Sequence, residues 1–217
     1  DLEVAYRFVR ALAASIGCAW PVSRVTAVRF EYAPGPKGNY LNDGTAFDAF
    51  IEYEALDGTM GFIGIETKLT EPFSRGEPDT EAYRRWMDRD SPWLAPADPA
   101  VAANECNQLW RDHLLAVALL KRTRETCNAR GCLLLVRHPL DEHCKTVAAR
   151  YRERLKAGDD TFVEVTVADV VAAIVGAEEA GPGSGWASEL AVRYLALDLS
   201  EGEWQKRRSM GVEGGIK

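Results

Sequence analysis

The order and patterning of apolar residues predict an α/β protein, with a mixed central β-sheet flanked by helices on both faces. Three observations carry that reading. The chain opens on a helical period, passes through alternating strand-like segments joined by a tight turn at Asp57-Gly58, and then runs helix, strand, helix, strand, helix almost to its end. A length of 217 residues suffices for one domain of this class, and 47% hydrophobic with 27% charged residues is ordinary globular composition. The expected organisation is a single domain over residues 1–217, with an irregular insertion at about 72–104 and a mobile tail from about 200.

Residues 3–15, EVAYRFVRALAAS, place Val4, Phe8, Ala11 and Leu12 on one helical face, and Gly17 supplies a stop. VTAVRFEY at 25–32 alternates as a strand, after which APGPKGNYLNDG is loop by its Pro, Gly and Asn content. A hairpin occupies 44–71. From Glu71 to Asn104 prolines recur and no long period survives, apart from a short helix around Tyr83, Arg84, Arg85 and Trp86. A connection so long and aromatic is typically a functional insertion.

CNQLWRDHLLAVALLKRTRE, at 106–125, sets Cys106, Leu109, Trp110, His113, Val117 and Leu120 on one face, widened by Leu114, Leu115 and Leu119, which makes a largely buried helix. CLLLVRH, at 132–138, is the continuous apolar run of a strand covered on both sides. KTVAARYRERLK, at 145–156, aligns Val147, Tyr151 and Leu155 against Arg150, Arg152, Arg154 and Lys156, and FVEVTV then alternates as a strand. A helix over about 168–177, a GPGSG turn at 181–185, an amphipathic helix WASELAVRYLAL and the QKRR of the tail complete the pattern.

Several classes are excluded. The longest apolar run, LLAVALL at 114–120, is far too short to span a bilayer, and no charged-apolar-small secretory pattern is present, so a cytoplasmic protein with no membrane partner is expected. Cys18, Cys106, Cys127, Cys132 and Cys144 are odd in number and lack CxxC spacing, which argues for reduced thiols. A net charge of −7 marks no general affinity for nucleic acid, so any such contact needs a local cluster of Lys and Arg. No oligomeric state is signalled.

The hairpin GTAFDAFIEYEALDGTMGFIGIETKLTE raises the functional question, because Asp48, Glu66 and Lys68 stand inside strand-like halves where such residues are depleted. Side chains alternate along a strand. Phe47, Ala49, Ile51 and Tyr53 take one side of the first half, and Asp48, Glu52 and Glu54 the other, together with Phe50. In the second half Ile63, Ile65 and Leu69 oppose Glu66 and Lys68. The charges share a face if opposed residue numbers sum to an even value such as 114 or 116, which demands an odd-length connection or a bulge at Asp57-Gly58. Two carboxylates and an ammonium then meet, a set that fits Mg²⁺, a hard ion typically held by one or two carboxylates, waters and substrate phosphate.

An Asp in one strand followed by Glu-x-Lys in the adjacent antiparallel strand resembles the signature of the PD-(D/E)xK nuclease superfamily, the restriction-endonuclease-like fold. GTAFDAFIEY and FIGIETKLTEPF further resemble a bacterial branch of restriction endonucleases. The resemblance covers about residues 1–175; the insertion over 73–104 departs from the minimal core, and Phe47 stands where a Pro usually precedes the Asp. It implies a three-layer α/β/α fold and a Mg²⁺- or Mn²⁺-dependent nuclease acting on DNA in bacterial defence or repair. Asp48, Glu66 and the Thr67 carbonyl would hold the metal, Lys68 would orient or deprotonate the attacking water, and Glu3 and Gln108 would be accessory. The alternative is an inactive protein of the same fold that binds nucleic acid or a partner protein.

Other clusters weigh less. His138, His143 and Cys144 in RHPLDEHC lack a defined fourth ligand and a usual finger spacing, so zinc is not expected. Arg150, Arg152, Arg154 and Lys156, like Lys121, Arg122 and Arg124, read as solvated helix faces. Arg84, Arg85 and Arg89, interleaved with Tyr83 and Trp86, are the candidates for substrate contact, since aromatic and guanidinium planes stack on bases.

Overall fold

Five strands lie side by side in chain order: β1 (Val22–Tyr32), β2 (Phe47–Ala55), β3 (Met60–Lys68), β4 (Ala129–Arg137) and β5 (Phe162–Thr166). β1, β2 and β3 are antiparallel, whereas β4 and β5 run parallel to β3, so the sheet is mixed as expected. The structure is a computed structural model that describes residues 1–18, 20–74, 81–95, 105–125, 129–179 and 185–198. The tail from about 200 and residues 75–80 and 96–104 of the insertion lie outside the described residues.

Six helices complete the described elements: α1 (Leu2–Ile16), α2 (Glu81–Arg84), α3 (Asn107–Arg124), α4 (Glu142–Arg152), α5 (Val167–Glu179) and α6 (Trp186–Tyr194). Asp1 caps α1 by accepting the Glu3 N–H at 2.9 Å, and Gly17 ends it in the left-handed region at φ 68°. Val9 and Leu12 of α1 pack with Ile51, Tyr53, Ile63, Leu134 and Val136 on one side of the sheet, joined by Ala173 of α5. On the other side Leu109 and Leu114 of α3 and Tyr151 of α4 pack with Phe50, Phe62, Leu133 and Leu135. The unbroken apolar run of β4 thus serves both layers, which is why its sequence shows no alternation. None of the described helices is long and apolar enough to cross a membrane. Cys18, Cys106, Cys132 and Cys144 are free thiols, and Cys127 lies outside the described residues.

The hairpin has the required register. Every pair from Ala49↔Ile65 to Glu54↔Met60 sums to 114. Ala55 N–H closes on the Thr59 carbonyl at 2.8 Å, leaving the odd-length loop 56–58, with Gly58 at φ 80°. Asp57 fastens the turn by accepting from the Thr59 N–H at 3.0 Å and its hydroxyl at 2.6 Å.

Two elements depart from the pattern. Alternation assigns Phe47 to the Ile51 side, yet its ring packs 5.7 Å from Phe50 in the opposite layer. Gly64 explains this: a Cβ there would lie 2.5 Å from Phe47 Cε1, so the ring fills the place a side chain would take. Leu155 is not on a helical face either. α4 ends at Arg152, and Leu155 forms an isolated bridge with Trp93, flanked by Leu94 N–H to the Arg154 carbonyl at 2.9 Å and Lys156 N–H to the Pro92 carbonyl at 2.7 Å. The insertion therefore supplies a strand-like partner that outcompetes another helical turn.

Trp93 is wholly buried and donates to the Tyr151 hydroxyl at 3.1 Å. That hydroxyl meets His113 Nδ1 at 2.8 Å, His113 Nε2 meets the Thr161 hydroxyl at 2.7 Å, and Thr161 donates to Asp159 Oδ1 at 2.8 Å.

Candidate active site

β3 carries its two charged residues to the end of the strand. Glu66 and Lys68, two apart, point to the same side and are 4% and 5% exposed. Their charges meet directly, with Lys68 Nζ 3.0 Å from Glu66 Oε1. The same oxygen accepts from Gln108 Nε2 of α3 at 2.6 Å. Gln108 is itself oriented by the insertion, because its Oε1 accepts the Ser74 N–H at 2.8 Å. The Phe73 ring lies 5.5 Å from the Lys68 ammonium and is 7% exposed, so it shields that charge from water.

Asp48 approaches differently. The register aligns it with Glu66, but the described ladder stops at Ala49↔Ile65. Beyond that point Asp48 Oδ2 accepts the Thr67 N–H at 2.7 Å and the Thr67 hydroxyl at 2.6 Å. The carboxylate thus bends across the end of the ladder to satisfy a backbone donor, where simple alternation places it flush with Glu66. Each carboxylate has one oxygen saturated, Glu66 Oε1 by Lys68 and Gln108 and Asp48 Oδ2 by Thr67. Among the described residues the other oxygen of each accepts no hydrogen bond.

Burial raises the Glu66 carboxyl to about 7, an effect opposed by Lys68 and reinforced by Asp48. A further carboxylate is present that the sequence reading missed. Asp112, on α3 one turn beyond Gln108, is 4% exposed. Burial first and Glu66 second push its carboxyl well above the usual range. Asp112 stands four residues after Gln108, so it shares the helix face that meets Glu66, a relation that appears only once Gln108 is placed against the sheet.

The other candidates lie elsewhere. Glu3 is exposed and pairs with Arg7 at 2.9 Å, and no described contact joins it to Asp48 or Glu66. Arg85 donates to the Gly38 carbonyl at 2.8 Å and to the Tyr40 carbonyl, and lies 5.0 Å over the Trp86 ring. Trp86 is 9% exposed and donates to the Tyr40 carbonyl at 3.1 Å, so it clamps a loop as part of the core and has little face to offer a base. The side chains of Arg84 and Arg89 are exposed.

His138 bonds the Tyr194 carbonyl at 2.7 Å and the Leu140 N–H at 3.2 Å, which accounts for both ring nitrogens without zinc. Arg150 pairs with Glu105 at 2.8 Å, and Lys121 with Asp88 at 2.6 Å.

The donors that Asp48 and Glu66 offer are carboxylate oxygens, the hard kind that Mg²⁺ and Mn²⁺ prefer. Among the described residues no three His, Cys, Asp or Glu side chains converge as a complete cage. A family model described as the PD-(D/E)XK nuclease superfamily matches residues 1–196, and the chain belongs to that superfamily. The match extends past residue 175 and takes in α5 and α6. No curated protein and no solved structure matches the chain. Membership supports a nuclease-type function on nucleic acid, in a superfamily that typically uses divalent metals.

Proposed function

We propose that this chain is a Mg²⁺- or Mn²⁺-dependent nuclease that hydrolyses phosphodiester bonds in DNA, in bacterial defence or repair. The observation that carries the reading is the desolvated Glu66–Lys68 pair at 3.0 Å with Asp48 at the same strand end, each carboxylate keeping one oxygen unclaimed by the described residues. Asp48 and Glu66 hold the cation with the Thr67 carbonyl. When bound, the ion supplies Lewis-acid charge that acidifies water and offsets the charge of the phosphodiester.

Gln108 fixes the Glu66 carboxylate and, through Ser74, ties its own orientation to the insertion. Lys68 bonds one oxygen among the described residues, which leaves N–H directions to orient an attacking water and steady a phosphate. Phe73 keeps that ammonium out of bulk solvent, where its field would be screened.

The test is incubation with plasmid, linear single- and double-stranded DNA, and RNA, with and without Mg²⁺ or Mn²⁺. Cleavage of DNA that requires the ion and disappears in Glu66→Gln is the expected result. Nucleic-acid binding with no cleavage under any ion would return the inactive-binder alternative.

A further inference from the structure

Asp112 is buried, and among the described residues one of its carboxyl oxygens goes without a partner. Among the described residues its Oδ2 has no hydrogen-bond partner and no Lys or Arg forms an ion pair with it. The nearest guanidinium on its own helix, Arg111, is turned to Asn107 Oδ1 at 3.0 Å and Ser74 Oγ at 3.2 Å. Such a group is strongly unfavourable in a core unless something else meets its charge.

Its position says what that is. Gln108, one turn before it, reaches Glu66 at 2.6 Å, and the groups acting on Asp112 after burial are Glu66, Arg111, Lys68 and Asp48. Three carboxylates therefore share this end of the sheet with the Lys68 ammonium. Ionised together, the three would exceed the ammonium by two charges, which one divalent cation would balance.

Resting on the metal-dependent reading above, we propose that Asp112 is a positioning residue for that cation: from the helix side its charge strengthens the hold of Asp48 and Glu66 on a divalent ion. It acts through space, since no three carboxylates converge as a cage among the described residues.

Calorimetric titration of the whole chain with Mn²⁺, beside melting in chelator, tests this on Asp112→Asn and Asp112→Leu. Both variants should bind Mn²⁺ about tenfold or more weakly, because an anion is removed from beside a divalent charge in a poorly screened place. In chelator both should melt at or above the wild-type temperature, because an unpaired buried carboxylate has gone. A purely structural Asp112 gives the reverse, lower melting with unchanged Mn²⁺ affinity, and that result overturns the proposal. Equal Mn²⁺ affinity in Asp112→Asn and wild type overturns the role of Asp112 alone. A wild-type chain that takes up no Mn²⁺ overturns the metal-dependent reading and this proposal with it.

Discussion

Asp112 and His113 are consecutive, buried and polar, yet they belong to clusters built on opposite terms. His113 sits in a relay whose direction is fixed from both ends, since Trp93 can only donate and Thr161 gives its proton to Asp159 Oδ1. Tyr151 must then donate to His113 Nδ1, and His113 Nε2–H to Thr161, so the ring is neutral with its proton on Nε2. Burial agrees, holding the imidazole down to about 3. Every inner member has its partners, and only Asp159 Oδ2 at the outer end lacks one. Around Asp112 the carboxylates outnumber the ammonium and spare oxygens remain. A satisfied network fixes position, as this one pins the insertion to α3 and α4; a deficient one retains the capacity to bind.

The largest effect should come from breaking the satisfied cluster. His113→Ala leaves a cavity and takes one partner from each of the Tyr151 and Thr161 hydroxyls, at a cost of about 3–5 kcal/mol of stability read from denaturant midpoints. Mn²⁺ affinity at a temperature where the variant is folded should be unchanged; a matching loss of affinity would show that the two clusters are one.

The deficient cluster should respond in function. Asp48→Asn or Glu66→Gln should lose most Mn²⁺ affinity together with cleavage, each removing an anionic oxygen from a hard cation. Lys68→Ala should keep or gain Mn²⁺ affinity, because a nearby positive charge has gone, while turnover falls about 10²-fold or more. Calorimetry beside a nuclease assay separates these outcomes, and loss of the metal in Lys68→Ala would cancel the division of roles.

Next in size is the pH profile of stability in chelator, where the clusters pull in opposite directions. Between about 3 and 6.5 the unfolded chain protonates His113 and the fold does not, so stability is lost as pH falls below 6.5, at up to about 1.4 kcal/mol per unit. Glu66 has the contrary sign. Its folded carboxyl, raised from 4.5 to about 7, holds a proton that the unfolded chain has released, so stability drops as pH rises through that window. Glu66→Gln should shrink the second limb, to which Asp112 adds with the same sign, and leave the first in place in a series of melting curves. The smallest effect belongs to a polar pair with no burial. Arg150 and Glu105 meet at 2.8 Å with side chains 59% exposed each, and Arg150→Ala should change stability by less than about 1 kcal/mol.

The layers, the succession of elements along the chain and the parity of the hairpin were legible in the sequence because they rest on periodicity, which is local. What escaped depends on residues distant in the chain. Phe47 changed sides because Gly64, on the next strand, offers no side chain, and Leu155 left its helix because Trp93 offered a bridge. Trp86 read as a stacking surface, but only the packed insertion reveals that Tyr40 and the core claim it. Asp48, Glu66 and Lys68 were legible as charges out of place in strands. Asp112 was not, since one acid in a long amphipathic helix looks like its solvated edge until the sheet beneath it is known.

The loop 56–58 bears on the chemistry although it touches none of it. Asp48 lies seven residues from the end of β2, about 23 Å along an extended chain. Across that distance the turn transmits a count: three residues keep the pairs summing to 114, and two or four would oppose Asp48 to a different residue and turn Glu66 and Lys68 to the other side relative to β2. Leu56, Asp57 and Gly58 can therefore drift in identity, within what the φ of Gly58 allows, far more freely than the loop can drift in length. An insertion there would have to be absorbed as a bulge before it reached Asp48, or Asp48 would part from Glu66 and Lys68 through a change made at the far end of the strand.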